Sequence, residues 1–167
     1  MKIAQLESKS DLHVQAYRTI RLDALKINPE SFAFDYDHEV EQGIEFFRAQ
    51  MKQAHVFGSF ADERLIGMGK VVPDTLPKRT HIGTIGSIFV YPEFRGQRIG
   101  RKLCERLIRH AEDLGLKQLE LIVTSTQDSA IALYKVLDFQ ECGTHPRAIC
   151  VNGNFFDAVF MSKFLQP

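Results

Sequence analysis

IFVYPEFRGQRIG, Ile88 to Gly100, joins two different periodicities. The β-branched and aromatic run Ile85 to Tyr91 predicts a strand, and Pro92, with no N–H to give a ladder, predicts where pairing stops. Downstream, Leu103, Leu107, Ile108, Ala111 and Leu114 recur at helical spacing. A glycine-bearing loop, Arg95-Gly96-Gln97-Arg98-Ile99-Gly100, therefore leads from a strand into a helix. The first helical turn has N–H groups without intrahelical partners and the positive end of the dipole, which together suit phosphate oxygens. Gly96 and Gly100 let the chain bend and a ligand approach the backbone, while Arg95, Arg98 and Arg101 add planar guanidinium donors. From the loop alone, a tight turn before a solvated basic helix start explains the same residues.

Two other phosphate-binding patterns are excluded. No Gly-Lys-Ser or Gly-Lys-Thr closes a Walker loop, and the glycines have neither the spacing nor the early chain position of a dinucleotide fingerprint. The loop instead resembles the signature of the GNAT superfamily, the acetyl-CoA-dependent N-acyltransferases: Arg or Gln, two residues, Gly, one residue, then Gly or Ala. Arg95 and Gly100 match its ends. Arg98 replaces the middle glycine, so a left-handed backbone there is not expected without strain. A second stretch, Gln127 to Phe139, is similar to the family's later signature of Asn, then Ala, then Leu-Tyr, then Gly-Phe. Here Gln127 stands for Asn and Asp138 for Gly.

The resemblance implies an α/β (α+β) fold with a mixed, mostly antiparallel sheet, a splayed parallel strand pair and flanking helices. It also implies acetyl-CoA as co-substrate and a primary amine as acceptor: a small amine, a polyamine, or a protein lysine or N-terminus. Backbone groups of Ile88, Phe89 and Val90 would pair with the pantetheine amides as an added strand does. Arg95, Gly96, Gln97, Arg98, Ile99, Gly100 and Arg101 would hold the pyrophosphate, and Gln127 would bond pantetheine or its neighbours. Tyr134 matches the tyrosine that protonates the leaving thiolate. Direct transfer needs no protein nucleophile. The general base is not legible, with Glu39, Glu41, His81 and Glu120 all open. A non-catalytic acyl-CoA sensor on the same fold is the alternative.

Composition agrees with one domain over residues 1–167, long enough to bury a core without disulfides or metals. Lys plus Arg equals Asp plus Glu at 21 each, which gives no support to nucleic-acid binding. No signal-like or bilayer-length apolar run occurs, so the expectation is a cytoplasmic protein without a membrane partner; a homodimer is compatible with it. Cys104, Cys142 and Cys150 lack C-x-x-C spacing and read as reduced thiols, Cys104 as core packing; no metal is expected.

In chain order, Ile3–Leu6 predicts a strand, and Ser10-Asp11 caps a helix with Leu12, Ala16, Ile20 and Leu25 on one side, ended by Asn28-Pro29. One further helix is expected to carry Val40, Ile44, Phe47 and Met51. Strands follow at His55–Phe60, Leu65–Val72 and Ile82–Tyr91, then at Gln118–Thr124 after the loop helix. Ser125–Leu137 is helical, and Ala148–Val151 and Asn154–Leu165 form a hairpin over Asn152-Gly153.

Between Lys26 and Arg48 lie six acids, Glu30, Asp35, Asp37, Glu39, Glu41 and Glu45, with no Lys or Arg. They read as a solvated helix face or, with Phe32, Phe34 and Tyr36, as the wall meeting a cationic acceptor. On the second reading Phe32, Asp35 and Tyr36 bind the acceptor.

Overall fold

The computed structural model describes residues 1–165. Its strands are β1 (Lys2–Gln5), β2 (His55–Ala61), β3 (Arg64–Pro73), β4 (Ile82–Val90), β5 (Gln118–Thr124), β6 (Gln140–Val151) and β7 (Asn154–Phe164). The helices are α1 (Asp11–Ile27), α2 (Tyr36–Val40), α3 (Ile44–Lys52), α4 (Ile99–Asp113) and α5 (Asp128–Val136). The strands form one sheet in the order β1-β2-β3-β4-β5-β7-β6. Every pairing is antiparallel except β4 with β5, which the α4 crossover makes parallel.

Local chemistry accounts for most boundaries. The Ser10 side chain accepts from the His13 N–H and starts α1, and β4 stops at Val90, short of Pro92. Asn152 (φ 50°) and Gly153 (φ 78°) are both left-handed, as the two-residue turn between β6 and β7 requires. Three expectations need correction. The single helix over Val40–Met51 is two, because Gly43 takes an extended conformation and caps α3. The buried stripe of α1 is Val14, Tyr17, Ile20, Arg21, Ala24 and Leu25, while Leu12 is 77% exposed. β6 begins eight residues before Ala148, at Gln140; as an edge strand it tolerates Pro146 at a register shift between His145 and Ile149.

Alternation in the strands builds two apolar layers. Phe57, Leu119, Leu121 and Val123 pack with Leu103 and Leu107 of α4, whereas Val56, Met68 and Phe89 pack with Val14, Tyr17 and Phe47 of α1 and α3. Cys104 lies in the first layer, and burial pushes its thiol up to about 12, so it is inert packing. Among the described residues no helix is long and apolar enough to cross a membrane.

His110 of α4 packs against His55 at 4.7 Å and Phe57 at 5.0 Å between ring centroids. Its Nε2 is buried without a partner among the described residues. Burial, then His55 and Arg106, hold its pKa below the usual range, against a smaller opposing pull from Asp113. A depressed histidine stabilises the fold above its unfolded pKa of about 6.5, and that contribution is lost as pH falls through the folded value. His110→Gln should therefore flatten the fall of thermal midpoint below about pH 6.5. Unchanged acid sensitivity in the variant would remove His110 as its source.

Candidate active site at the splayed strands

The β4–β5 ladder lasts three residue pairs, Ile82–Gln118, Gly83–Leu119 and Thr84–Glu120, and then the strands part. β4 is bent at this point. Its register with β3 shifts between Met68 and Lys70, and Ser87 is left-handed at φ 54°. Gly69 permits the bend, since a Cβ there would sit 2.5 Å from Ile88 Cδ1. Beyond the ladder, between the end of β4 and the start of α5, lies a cleft of about 200 Å³ lined by Ile88, Phe89, Val90, Arg95, Gln127 and Leu133, among others. The sheet-edge groups of β4 beyond Thr84 have no ladder partner on the β5 side.

The cleft continues into an open groove of about 610 Å³ around Arg95, Gly96, Arg98, Ile99, Gly100 and Arg101 at the start of α4. The first turn of α4 contains no acid, Gly96 is left-handed at φ 78°, and Leu133 Cδ2 would lie 3.7 Å from a Cβ on Gly100. Gln97 is exposed beside it. Arg101 Nε donates to Glu105 Oε1 at 2.7 Å. Arg98 is left-handed (φ 60°, ψ 18°) despite its side chain, correcting the expectation from sequence. The loop keeps its bend and carries the strain. Arg98→Gly should therefore raise stability by about 1 kcal/mol, read as a higher thermal midpoint, while Arg98→Ala should not. Equal midpoints for the Gly and Ala variants would show that the strain is absorbed elsewhere.

Arg95 is engaged within the protein. Its Nε donates to the Val90 carbonyl at 3.0 Å and its Nη2 to Asn28 Oδ1 at 2.8 Å, tying the end of β4 to the end of α1. The opposite lip is held by the 3₁₀ turn Pro29–Ser31. Thr124 Oγ1 donates to the Glu30 carbonyl at 2.6 Å, and Gln127 Nε2 donates to Glu30 Oε1 at 3.0 Å. The Gln127 amide thus already has a carboxylate partner. Tyr134 is 8% exposed and packs edge-on to Phe139 at 5.9 Å. Burial drives its pKa upward, so the phenol stays protonated. It lines neither cavity, whereas Leu133 before it lines both.

The acids do not form one face. Glu39 is 0% exposed and accepts from Arg21 Nε at 3.0 Å and Nη2 at 2.8 Å; Arg21 Nη1 donates to Ser87 Oγ at 3.3 Å. Both oxygens of Glu39 are engaged, which removes it from the candidate bases. Glu120 likewise accepts from Arg79 at 3.0 Å, while His81 and Glu41 are exposed. Asp35 caps α2 by accepting from the His38 N–H at 3.0 Å, and Glu45 pairs with Arg48 at 2.9 Å.

A cavity of about 360 Å³ opens on the α1 side of the splay, between Thr84–Ser87 and Ile122–Thr124. Phe32 lines it, but Asp35 and Tyr36 line a neighbouring groove beside Lys26 and Ala148–Asn152. Its charged lining residues are Arg21 and Lys70, joined by His145, with no acid. Arg21 and Lys70 were missed in the sequence. The signal available was an arginine inside the apolar stripe of α1 and a lysine at a core-facing position of β3.

A profile of the acetyltransferase (GNAT) family matches residues 18–139. An uncharacterized N-acetyltransferase of Archaeoglobus fulgidus is 27% identical over 133 residues, 77% of this chain and 82% of that protein. The ribosomal protein bS18-alanine N-acetyltransferase of Escherichia coli is 28% identical over 142 residues, 83% of this chain and 87% of that one. Among solved structures, a GNAT superfamily phosphinothricin acetyltransferase from Sinorhizobium meliloti, in complex with acetyl-CoA, aligns with TM-score 0.81 at 20% identity over 98% of this chain and 88% of that chain. With its splayed strand pair, its loop-to-helix groove and a family match over most of its length, the chain belongs to the GNAT family of acetyltransferases, a family of acyltransferase enzymes.

Proposed function

We propose that this chain is an N-acetyltransferase that moves an acetyl group from acetyl-CoA directly to a primary amine. The observation that carries the reading is the bare edge of β4 beyond Thr84, which runs into the acid-free first turn of α4. An edge with unpaired donors and acceptors suits the two amides of pantetheine, and Ile88, Phe89 and Val90 are the residues that would meet them. The loop N–H groups from Gly96 to Gly100, including those of Gln97 and Ile99, with Arg98 and Arg101, would take the pyrophosphate. Arg95 contributes chiefly by fixing the lip of the cleft through Val90 and Asn28. Gln127 holds Glu30 across the same opening and would turn its amide to the cofactor when that bond is exchanged.

In the reaction the neutral amine adds its lone pair to the thioester carbonyl carbon, and the carbon–sulfur bond then breaks. The amine gives up a proton to water, and the thiolate takes one from the Tyr134 hydroxyl, which solvent later restores. Burial keeps that phenol protonated at neutral pH. A cytoplasmic setting belongs to the same reading.

Calorimetric titration with acetyl-CoA, followed by thiol release across a panel of amines, tests the proposal. Saturable binding and amine-dependent thiol release are expected. Binding without transfer to any amine would make the chain an acyl-CoA sensor, and absence of binding would remove the donor assignment altogether.

A further inference from the structure

The cavity on the α1 side of the splay has an uncompensated cation. Arg21 is neutralised by Glu39, which it grips through two nitrogens, but Lys70 has no hydrogen-bond or ion-pair partner among the described residues. Lys70 pairs with Gly86 in the β3–β4 ladder, beside the bend at Ser87. It is therefore held at the mouth of the splay by two strands. Burial, with Arg21 nearby, pulls its pKa down, while Glu39 pulls weakly the other way. An ammonium partly stripped of water without a counter-ion is a site for an anion. Both Glu39 oxygens are occupied, and the remaining lining residues contribute no carboxylate.

The rest of the cavity is apolar. Phe34, Ile122 and Phe160 are 56%, 58% and 41% exposed, an unusual amount of open hydrophobic surface at one mouth. The cavity shares Ser31 and Phe32 with the cleft at Ile88–Val90, so the two adjoin. A cationic side chain entering here would face Lys70, whose charge no lining carboxylate offsets, in a medium of lowered dielectric, which opposes it.

On the reading that this is an acetyl-CoA-dependent N-acetyltransferase, we propose that the acceptor is a free α-amino acid with an apolar side chain. Lys70, beside the Arg21–Glu39 pair, receives its carboxylate. Phe34, Ile122 and Phe160 receive its side chain, and the amine, one carbon from the carboxylate, is turned to the cleft where the thioester lies. This replaces the cationic acceptor expected from the acidic segment.

The test compares leucine, methionine and phenylalanine with their amides, with the amines that lack the carboxyl group, with spermidine and with a leucine-led peptide, all with acetyl-CoA and the full chain. The best free amino acid should exceed its amide and its decarboxylated amine in kcat/KM by about 10- to 100-fold, as expected for loss of one hydrogen bond to a partly buried charged group. Lys70→Met should raise the KM for that amino acid and bring it level with its amide, while the KM for acetyl-CoA stays as it was. Lys70→Arg, which keeps the charge, should retain part of the preference. Preference for spermidine, the peptide or an amide overturns the assignment, as does an undiminished carboxylate preference in Lys70→Met. If acetyl-CoA binds but no amino acid is acetylated, the acceptor assignment falls and the donor cleft stands. If acetyl-CoA does not bind, the enzyme reading itself falls.

Discussion

Tyr134→Phe lowers the turnover of acetyl transfer by about 100- to 1000-fold and leaves acetyl-CoA affinity unchanged; that is the result expected if its hydroxyl protonates the departing thiolate. The substitution suits the question because the ring stays. Phenylalanine keeps the edge-on contact with Phe139 and the packing beneath α5, so the fold should hold. Burial drives the phenol's pKa up, so loss of activity at alkaline pH should not come from its ionisation in the free enzyme. Pre-steady-state thiol release separates the chemical step from product release. Wild-type rates in that step would take Tyr134 off the catalytic list and leave it as a core residue.

Breaking the Arg21–Glu39 pair gives the largest expected loss of stability. Arg21 is 1% exposed and Glu39 0%, so Glu39→Leu leaves a guanidinium without its carboxylate inside the protein. Removing one partner of a buried pair typically costs about 3–5 kcal/mol. Replacing both, as Arg21→Met with Glu39→Leu, should recover most of it, because the desolvation cost of both charges disappears. Urea unfolding of the two single variants and the double variant measures this directly. A loss below about 1 kcal/mol for Glu39→Leu would mean that water reaches the pair. The same guanidinium stacks on Phe32 at 5.2 Å and Phe34 at 5.0 Å and bonds Ser87, so the single variants should also loosen the α1-side cavity.

What could be read without coordinates depended on how local the cause was. The cap at Ser10, the stop at Pro92 and the turn at Asn152-Gly153 are settled by a few adjacent atoms, and each appears where the sequence puts it. The break at Gly43 is local as well, but a three-four apolar step runs across it, and periodicity outvoted the glycine. Arg21 and Glu39 lie eighteen positions apart, and each looks solvated until the other is in view. That pairing shifts the apparent stripe of α1 and dissolves the acidic face. The contacts of Arg95 were hidden for a related reason: a guanidinium next to a phosphate-binding type of loop can equally cap a carbonyl five residues back. The parting of β4 from β5 has no signature in either strand alone, and it was legible only through the resemblance of the two flanking motifs.

The bare strand edges have a consequence for solubility. An unpaired edge on a protein's outside is a template on which another chain can add itself. Here the edges that part beyond Thr84 and Glu120 face each other, and the Pro29–Ser31 turn is fastened over the opening through Asn28 and Glu30. The outermost strands are poor templates: β1 is only four residues long, and β6 is irregular around Pro146. An added strand from another chain would have to pass the Pro29–Ser31 turn to reach either interior edge. The bare edges are thus kept away from the outside of the protein, where they would template aggregation.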